Sequence, residues 1–86
     1  MIQFETLEGA AAVTVNGKMI PINNGEIEIL YCNTYDLYNE DHVGAAPVTI
    51  GNQTFVLSKG EWKHLLEESH SHILLMLDDE EVPVYH

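Results

Sequence analysis

The sequence contains no arginine, and apart from histidines its only basic side chains are Lys18, Lys59 and Lys63. Fourteen carboxylates outnumber these three lysines, so the formal net charge is −11. A charge of this size repels polyanions, including nucleic acids and anionic membranes, and attracts basic surfaces. We therefore expect the partner to be a protein with a basic surface, with no direct binding to nucleic acid or to a membrane.

Other absences restrict the cellular compartment in which we expect the protein. Cys32 is the single cysteine, so the chain has no internal disulfide, which fits a reducing cytosol. The N-terminus lacks a basic region followed by an apolar segment, so no signal peptide is predicted. The longest purely apolar run, residues 73–77, is far shorter than the ~20 residues of a membrane-spanning helix. We expect a soluble cytoplasmic protein.

Length and composition indicate one folded domain covering residues 1–86, because a chain of 86 residues has no room for a second core. Apolar residues make up 45% of the chain, an ordinary proportion for a globular protein. The excess of acidic residues is therefore expected on the surface of a folded domain and not on a disordered tail.

The first clear hairpin signal is Asn16-Gly17 between two β-rich segments, because both residues tolerate the positive φ of a type I′ turn. A two-residue loop would pair Val13 with Ile20 and place both on the buried face. Pro21 falls on the other face and has no N–H for the ladder, which predicts an edge strand there.

A second hairpin is predicted around Gly51-Asn52, a sequence that suits a type II′ turn. With a two-residue loop, Val48 would pair with Phe55 on the buried side. A four-residue loop would change the register but keep the same side chains buried, and the sequence does not choose between the two.

Residues 26–31 alternate between polar and apolar, which predicts a half-buried strand with Glu26 and Glu28 pointing outward. Residues 33–41 break this period and are polar, aromatic and acidic, which predicts a loop with a short helical turn. The side chains expected to point into the core are Ile27, Ile29 and Tyr31.

One helix is predicted at about residues 59–69. Ser58 and Glu61 have the spacing of a capping box, in which each side chain accepts a hydrogen bond from the backbone amide of the other residue. After the helix, residues 73–77 are apolar on both faces and predict a central strand, and residues 82–85 predict an edge strand. The predicted fold is thus α+β: a mostly antiparallel sheet of five to six strands, from two hairpins and a C-terminal hairpin, with one helix packed on it.

No catalytic motif is present, and we expect no enzyme and no cofactor. Histidines His64, His70 and His72 could form a metal site with Cys32 or Glu68, but their spacing matches no established metal pattern. We favour ordinary surface or boundary histidines. Cys32 has no histidine base placed beside it by the sequence, so we expect a small buried side chain and not a nucleophile. A hydrolase with paired carboxylates is the remaining enzymatic alternative, but a small sheet with one helix offers little room for its cleft.

Acidic clusters are the candidate partner-binding sites. The four consecutive carboxylates at 78–81 form either a solvated hairpin tip or a contact for a basic surface. The segment 35–41 combines acids with tyrosines, which are common interface anchors, or the tyrosines cap the core. The full set of candidate residues is Glu26, Glu28, Tyr35, Asp36, Tyr38, Glu40, Asp41, Asp78, Asp79, Glu80 and Glu81.

By its compactness, its extreme acidity and the absence of a catalytic motif, the chain resembles the small acidic inhibitors encoded by phages, including DNA-mimic and anti-CRISPR proteins. The resemblance implies an inhibitor that acts in the host cytoplasm and occupies a nucleic-acid-binding surface of a host defence nuclease complex. The alternative is a small structural or assembly protein that forms homo-oligomers through its edge strands. Halophilic adaptation is a separate explanation for the charge.

Overall fold

The computed structural model describes residues 2–7 and 10–81 of the chain. Within these residues the fold is α+β, as predicted, and has five strands, but they form two sheets and are joined by two helices instead of one. In chain order the elements are β1 (Ile2–Leu7), β2 (Ala10–Val15), β3 (Lys18–Ile22), α1 (Asn24–Asn39), β4 (Ala46–Ile50), β5 (Gln53–Leu57) and α2 (Lys59–Glu81).

The three-stranded sheet has the order β1-β2-β3, with both neighbouring pairs antiparallel. The predicted first hairpin is confirmed, since Val13 pairs with Ile20 and the turn residues Asn16 and Gly17 have φ values of 51° and 86°. Strand β3 lies at the edge of the sheet, where the missing N–H of Pro21 interrupts no ladder.

The two-stranded sheet is the β4-β5 hairpin, and its register settles the loop length. Thr49 pairs with Thr54 and Val48 with Phe55, so the loop has two residues. Gly51 has a φ of 66°, as the first position of a type II′ turn requires.

Helix α1 covers residues 26–31, so the strand predicted there is wrong. It continues through residues 33–39, where the sequence predicts a loop with only a short helical turn. The helix begins after Asn23, whose side-chain oxygen accepts a hydrogen bond from the amide of Glu26 at 2.8 Å. The Glu26 carboxylate accepts one in return from the amide of Asn23, also at 2.8 Å. This reciprocal pair satisfies amides that a helix start leaves without intrahelical partners.

The buried residues of α1 have helical spacing. Ile27, Leu30 and Thr34 are fully buried, whereas Ile29 is 55% exposed. Tyr31 is half-buried. Ile27 is thus the only one of the three predicted inward side chains to be fully buried. The polar–apolar alternation of residues 26–31 is short enough to fit a helix as well as a strand. Burial at i, i+3 and i+7 shows that the segment follows the period of a helix.

Helix α2 begins at Lys59, and the predicted capping box of Ser58 and Glu61 is present. The helix does not end near residue 69 but continues to Glu81, so the strand predicted at 73–77 and the hairpin tip predicted at 78–81 are wrong. The C-terminal hairpin is therefore absent, because its first strand is helical. The edge strand predicted at 82–85 lies outside the described residues.

The buried side chains of α2 recur with helical spacing through this region. The side chains of Trp62, Leu65, Ser69 and His72 are buried, a series of 3-4-3 steps that carries the buried face past residue 70. An apolar run such as residues 73–77 is compatible with a strand or a helix, and continuity with this face selects the helix.

One hydrophobic core joins both sheets and both helices. The helices run antiparallel, since Tyr31 of α1 stacks on His70 of α2, whereas His42, just after α1, contacts Trp62 at the start of α2. Within residues 2–7 and 10–81, neither helix combines the length and the apolar character needed to cross a membrane.

Candidate protein-binding surface

Most of the predicted partner-binding residues lie on α1 or in the turn that follows it. Glu28 and Asp36 are exposed on the helix, Glu40 is its C-cap, and Asp41 follows in the left-handed region with a φ of 55°. We call these four exposed carboxylates the acidic face of α1. No lysine or arginine occurs anywhere in residues 19–58.

The C-terminal end of the acidic face concentrates negative potential. The last turn of α1 contains no basic residue, and Glu40 and Asp41 stand where the helix dipole is already negative. Carboxylates at this position are disfavoured by roughly 0.3–1 kcal/mol each, because the favourable charge at a helix C-terminus is positive. A cationic partner at this end would relieve that repulsion.

Asn33 fixes the orientation of this face relative to the sheet. Its side-chain oxygen accepts a hydrogen bond from the backbone amide of Thr49 at 2.9 Å. Thr49 lies at a position of the two-residue hairpin whose amide points away from the partner strand. The bond therefore ties α1 to the outer edge of β4 and leaves the acidic face turned to solvent.

Glu26 has a different role from the other predicted acidic residues. Its carboxylate is engaged by the backbone amide of Asn23 in the capping box, and the residue is half-buried. Its charge stabilises the N-terminal, positive end of the helix dipole. We therefore place Glu26 in the helix cap and not in the acidic face.

The structure does not bring the acidic cluster at residues 78–81 to this surface. The backbone of Asp78, Asp79, Glu80 and Glu81 forms the last turn of α2, and their side chains lie outside what the structure describes. Because the helices are antiparallel, this turn lies toward the N-terminal end of α1, away from Glu40 and Asp41. The two acidic clusters thus mark opposite ends of the helix pair.

Beside the acidic face, three tyrosines of α1 line a groove against α2. Tyr31, Tyr35 and Tyr38 follow one another at i, i+4 and i+7, which places them on one side of the helix. The groove has a volume of about 430 Å³. Its lining, which we call the tyrosine groove, consists of Tyr31, Tyr35, Tyr38, Lys63, Leu66, Glu67 and His70.

The rings in the groove are stacked. Tyr31 and Tyr35 have centroids 5.7 Å apart and planes inclined by 28°, and Tyr31 and His70 have centroids 5.6 Å apart and planes inclined by 17°. Tyr35 remains 45% exposed and Tyr38 54% exposed. The aromatic surface is therefore held in place by its own stacking and is still open to a partner.

Only part of this groove is predicted by the sequence. The sequence predicts Tyr35 and Tyr38 as anchors, but it places Tyr31 in the core of a strand and does not indicate the contribution of α2. The spacing of the three tyrosines was the available signal, because i, i+4 and i+7 place side chains together only on a helix. The α2 residues could not be found without knowing that the two helices are neighbours.

The candidate metal ligands lie in different surroundings. His64 is exposed, His70 lies in the tyrosine groove, and His72 is buried against β1, where its ring contacts Phe4. No group of three or more histidine, cysteine or acidic side chains in residues 2–7 and 10–81 could hold a metal ion. Cys32 is exposed on α1, so the expectation of a buried cysteine is wrong.

No protein-family model matches the chain, and no curated protein or solved structure is significantly similar to it. The features that bear on function are therefore the charge and geometry of the surface itself. Those features are an acidic face on a helix anchored to the sheet and an adjoining groove of stacked aromatic rings.

Proposed function

We propose that this chain is a non-enzymatic, acidic protein-binding module that inhibits its partner by occupying a basic, nucleic-acid-binding surface. The observation that carries the proposal is the acidic face of α1. It presents four exposed carboxylates within a segment of 40 residues, 19–58, that contains no lysine or arginine. No lysine or arginine in this segment offsets the attraction to a cationic groove.

The geometry of the face suits a partner that normally holds a phosphate backbone. Glu28 and Glu40 are twelve residues apart on a helix, which corresponds to about 18 Å along its axis. Lysine and arginine side chains that line a nucleic-acid groove would meet carboxylates spaced along this length. A host defence nuclease complex, as in the phage inhibitors that the composition resembles, is the kind of target we propose, in the host cytoplasm.

Salt dependence and a matched pair of variants test the proposal. We expect the protein to capture a partner from a lysate of its source cell at low salt, and the captured protein to be displaced as salt rises. The purified partner should bind its nucleic acid in a mobility-shift assay and lose that binding when this protein is added. Capture that persists unchanged at high salt would contradict the proposal.

The variant Glu28→Gln/Asp36→Asn removes two charges from the acidic face. We expect it to weaken partner binding by roughly two- to thirtyfold, measured by calorimetry, because each exposed ion pair contributes about 0.2–1 kcal/mol. The matched control is Glu5→Gln/Glu68→Gln, which removes the same charge from β1 and the adjoining side of α2. Equal weakening by both variants would show that net charge and not the acidic face determines binding.

Self-association through edge strands remains the second candidate, and one observation favours it. Strand β5 pairs only with β4 among the described residues, and Val56 on β5 is 75% exposed. An exposed apolar edge strand is a template for pairing with another chain. A defined oligomer in light scattering, lost in a Val56→Lys variant, would support this function over the first.

A further inference from the structure

We infer that the tyrosine groove receives an arginine side chain of the partner, stacked on the exposed tyrosine rings beside Glu67. This inference rests on the proposed function, because it identifies the anchor by which a basic partner is held. The acidic face would attract and orient the partner, and the groove would fix one of its guanidinium groups. A volume of about 430 Å³ lies within the roughly 300–1,000 Å³ range of protein pockets and can enclose a side chain.

The groove offers the two contacts that a guanidinium prefers. The faces of the tyrosine rings carry negative electrostatic potential and attract a cation within about 6 Å of the ring centre. Glu67 lies on the rim of the same groove, and a carboxylate can accept two parallel hydrogen bonds from a guanidinium. A planar group also continues the stack that Tyr35, Tyr31 and His70 already form.

The position of Lys63 restricts where the cation would lie. Lys63 lines the groove four residues before Glu67 on α2, which places it about 6 Å nearer the C-terminal end of α1. Like charges repel, so the guanidinium is expected near Tyr35 and Glu67 and away from Lys63. A protein chain approaching over the acidic face can reach this position.

Other occupants fit the observations less well. A nucleobase could stack on the same rings, but its phosphates would meet a protein of net charge −11. A purely apolar side chain would give no new polar partner to most of the lining. The polar groups of the lining are three phenol hydroxyls, a lysine, a glutamate and a histidine. A lysine carries the charge but lacks the planar group that stacks.

The probe for this inference is a synthetic peptide, Gly-Ser-Arg-Gly-Arg-Ser-Gly, with three matched peptides in which both arginines are citrulline, lysine or leucine. The full chain, isotope-labelled in its backbone amides and its aromatic rings, is titrated with each peptide and followed by NMR. We expect the arginine peptide to shift the ring signals of Tyr31, Tyr35 and Tyr38 saturably. We also expect it to bind at least roughly fivefold more tightly than the citrulline peptide, which has the same shape without the charge.

Two variants separate the ring faces from the hydroxyl groups. Tyr35→Leu/Tyr38→Leu should weaken the arginine peptide by roughly fivefold to thirtyfold, because it removes two ring faces. Tyr35→Phe/Tyr38→Phe keeps the faces and should bind within about twofold of the native protein. Both residues are about half exposed, so the fold should be retained, which circular dichroism and urea unfolding would verify.

Equal or tighter binding of the leucine or citrulline peptide would overturn the arginine site, as would shifts confined to signals near Glu28 and Asp36. Neither result contradicts the acidic face, whose own test is partner binding by the Glu28→Gln/Asp36→Asn variant. The opposite outcome is also distinguishable. If the arginine peptide shifts the tyrosine signals but partner binding is insensitive to salt and to that variant, the proposed function is contradicted. The groove would then still be a guanidinium site.

Discussion

At the scale of single residues, both helices begin with the same arrangement of hydrogen bonds. Asn23 and Glu26 exchange two bonds at the start of α1, and Ser58 and Glu61 do so at the start of α2. In the second pair the Ser58 amide donates to the Glu61 carboxylate at 2.9 Å. This bond, which favours the ionised form, lowers the pKa of Glu61.

The lowered pKa of Glu61 predicts a pH-dependent part of the stability. The folded state releases this proton more readily than the unfolded chain, whose value is near 4.5. The stabilisation is therefore complete above about pH 4.5 and is lost as the pH falls through the folded pKa. Urea unfolding of the native protein and of Glu61→Gln should show a difference in free energy that is steady from about pH 7 to about pH 5 and shrinks from there to about pH 3.

The variant Glu28→Gln is the control for this experiment, because it removes one negative charge from an exposed position on the other helix. The difference in unfolding free energy between the native protein and Glu61→Gln should change more with pH than the difference between the native protein and Glu28→Gln. A difference between the native protein and Glu61→Gln that stays constant over the whole pH range would contradict the role given to the carboxylate in the cap.

Two glycines make a matched pair for testing backbone strain. Gly51 has a φ of 66°, and a Cβ there would lie 3.4 Å from Cγ2 of Ile20. We expect Gly51→Ala to reduce the free energy of unfolding by about 1–2 kcal/mol, because a side chain is strained in the left-handed region. Gly60 lies in the first turn of α2 with no atom near its Cβ position, and Gly60→Ala should add about 0.4–1 kcal/mol.

Chemical denaturation of the two glycine variants under identical conditions measures both changes. The opposite signs are the informative result, since the substitutions are chemically the same. A Gly51→Ala variant as stable as the native protein would show that the turn between β4 and β5 does not need the left-handed residue that the structure places there.

At the scale of elements, the antiparallel packing of α1 and α2 organises the functional surface. Thr34 and Ser69 are buried hydroxyls on the two helices, and each donates to a carbonyl one turn earlier in its own helix, at 2.9 Å and 2.7 Å. These bonds satisfy the polar groups without a partner from elsewhere. The tyrosine groove forms along the same helix pair, outside its buried side.

Neighbouring residues of α1 provide a direct test of the helix. Leu30 is fully buried and Leu30→Ala should cost about 2–5 kcal/mol of unfolding free energy. Ile29 is 55% exposed and Ile29→Ala should cost no more than about 0.5 kcal/mol. In a strand with Ile27, Ile29 and Tyr31 inward, the order would be reversed, so thermal or urea unfolding of the two variants distinguishes the structures.

At the scale of the whole molecule, the charge of −11 acts on folding as well as on binding. Like charges destabilise a compact state by mutual repulsion, and salt screens this repulsion. The acidic face, with no lysine or arginine in the surrounding segment, contributes to the effect. A folded protein with this distribution should therefore gain stability as ionic strength rises.

We expect the free energy of unfolding to increase when sodium chloride is raised from about 0.01 M to about 1 M, over which the screening length falls from about 30 Å to about 3 Å. The increase should be smaller in Glu28→Gln/Asp36→Asn than in the native protein. A chain that is unfolded at low salt would instead indicate halophilic adaptation as the reason for the acidity, and an absence of any salt effect would contradict the repulsion.

The sequence by itself determined the features that depend on a few adjacent residues. Asn16-Gly17 and Gly51-Asn52 each fix a turn through the φ values that they tolerate, and Ser58 with Glu61 fixes the start of α2. Turn and cap chemistry is local, so it can be interpreted without knowing what lies across the core. The α+β class of the fold and the acidic character of residues 26–41 could also be predicted from the sequence, although the helix that carries these acids could not.

Only the tertiary structure decided the conformation of residues 26–31 and 73–77 and the composition of the tyrosine groove. Both segments are short enough to fit a strand or a helix, and burial of Leu30 and Ser69 in the helical period makes the choice. The groove requires Tyr31 and His70, which are 39 residues apart in the chain, to stack on each other. Such contacts follow from how the helices pack, because packing against distant residues determines which face of an ambiguous segment leaves water.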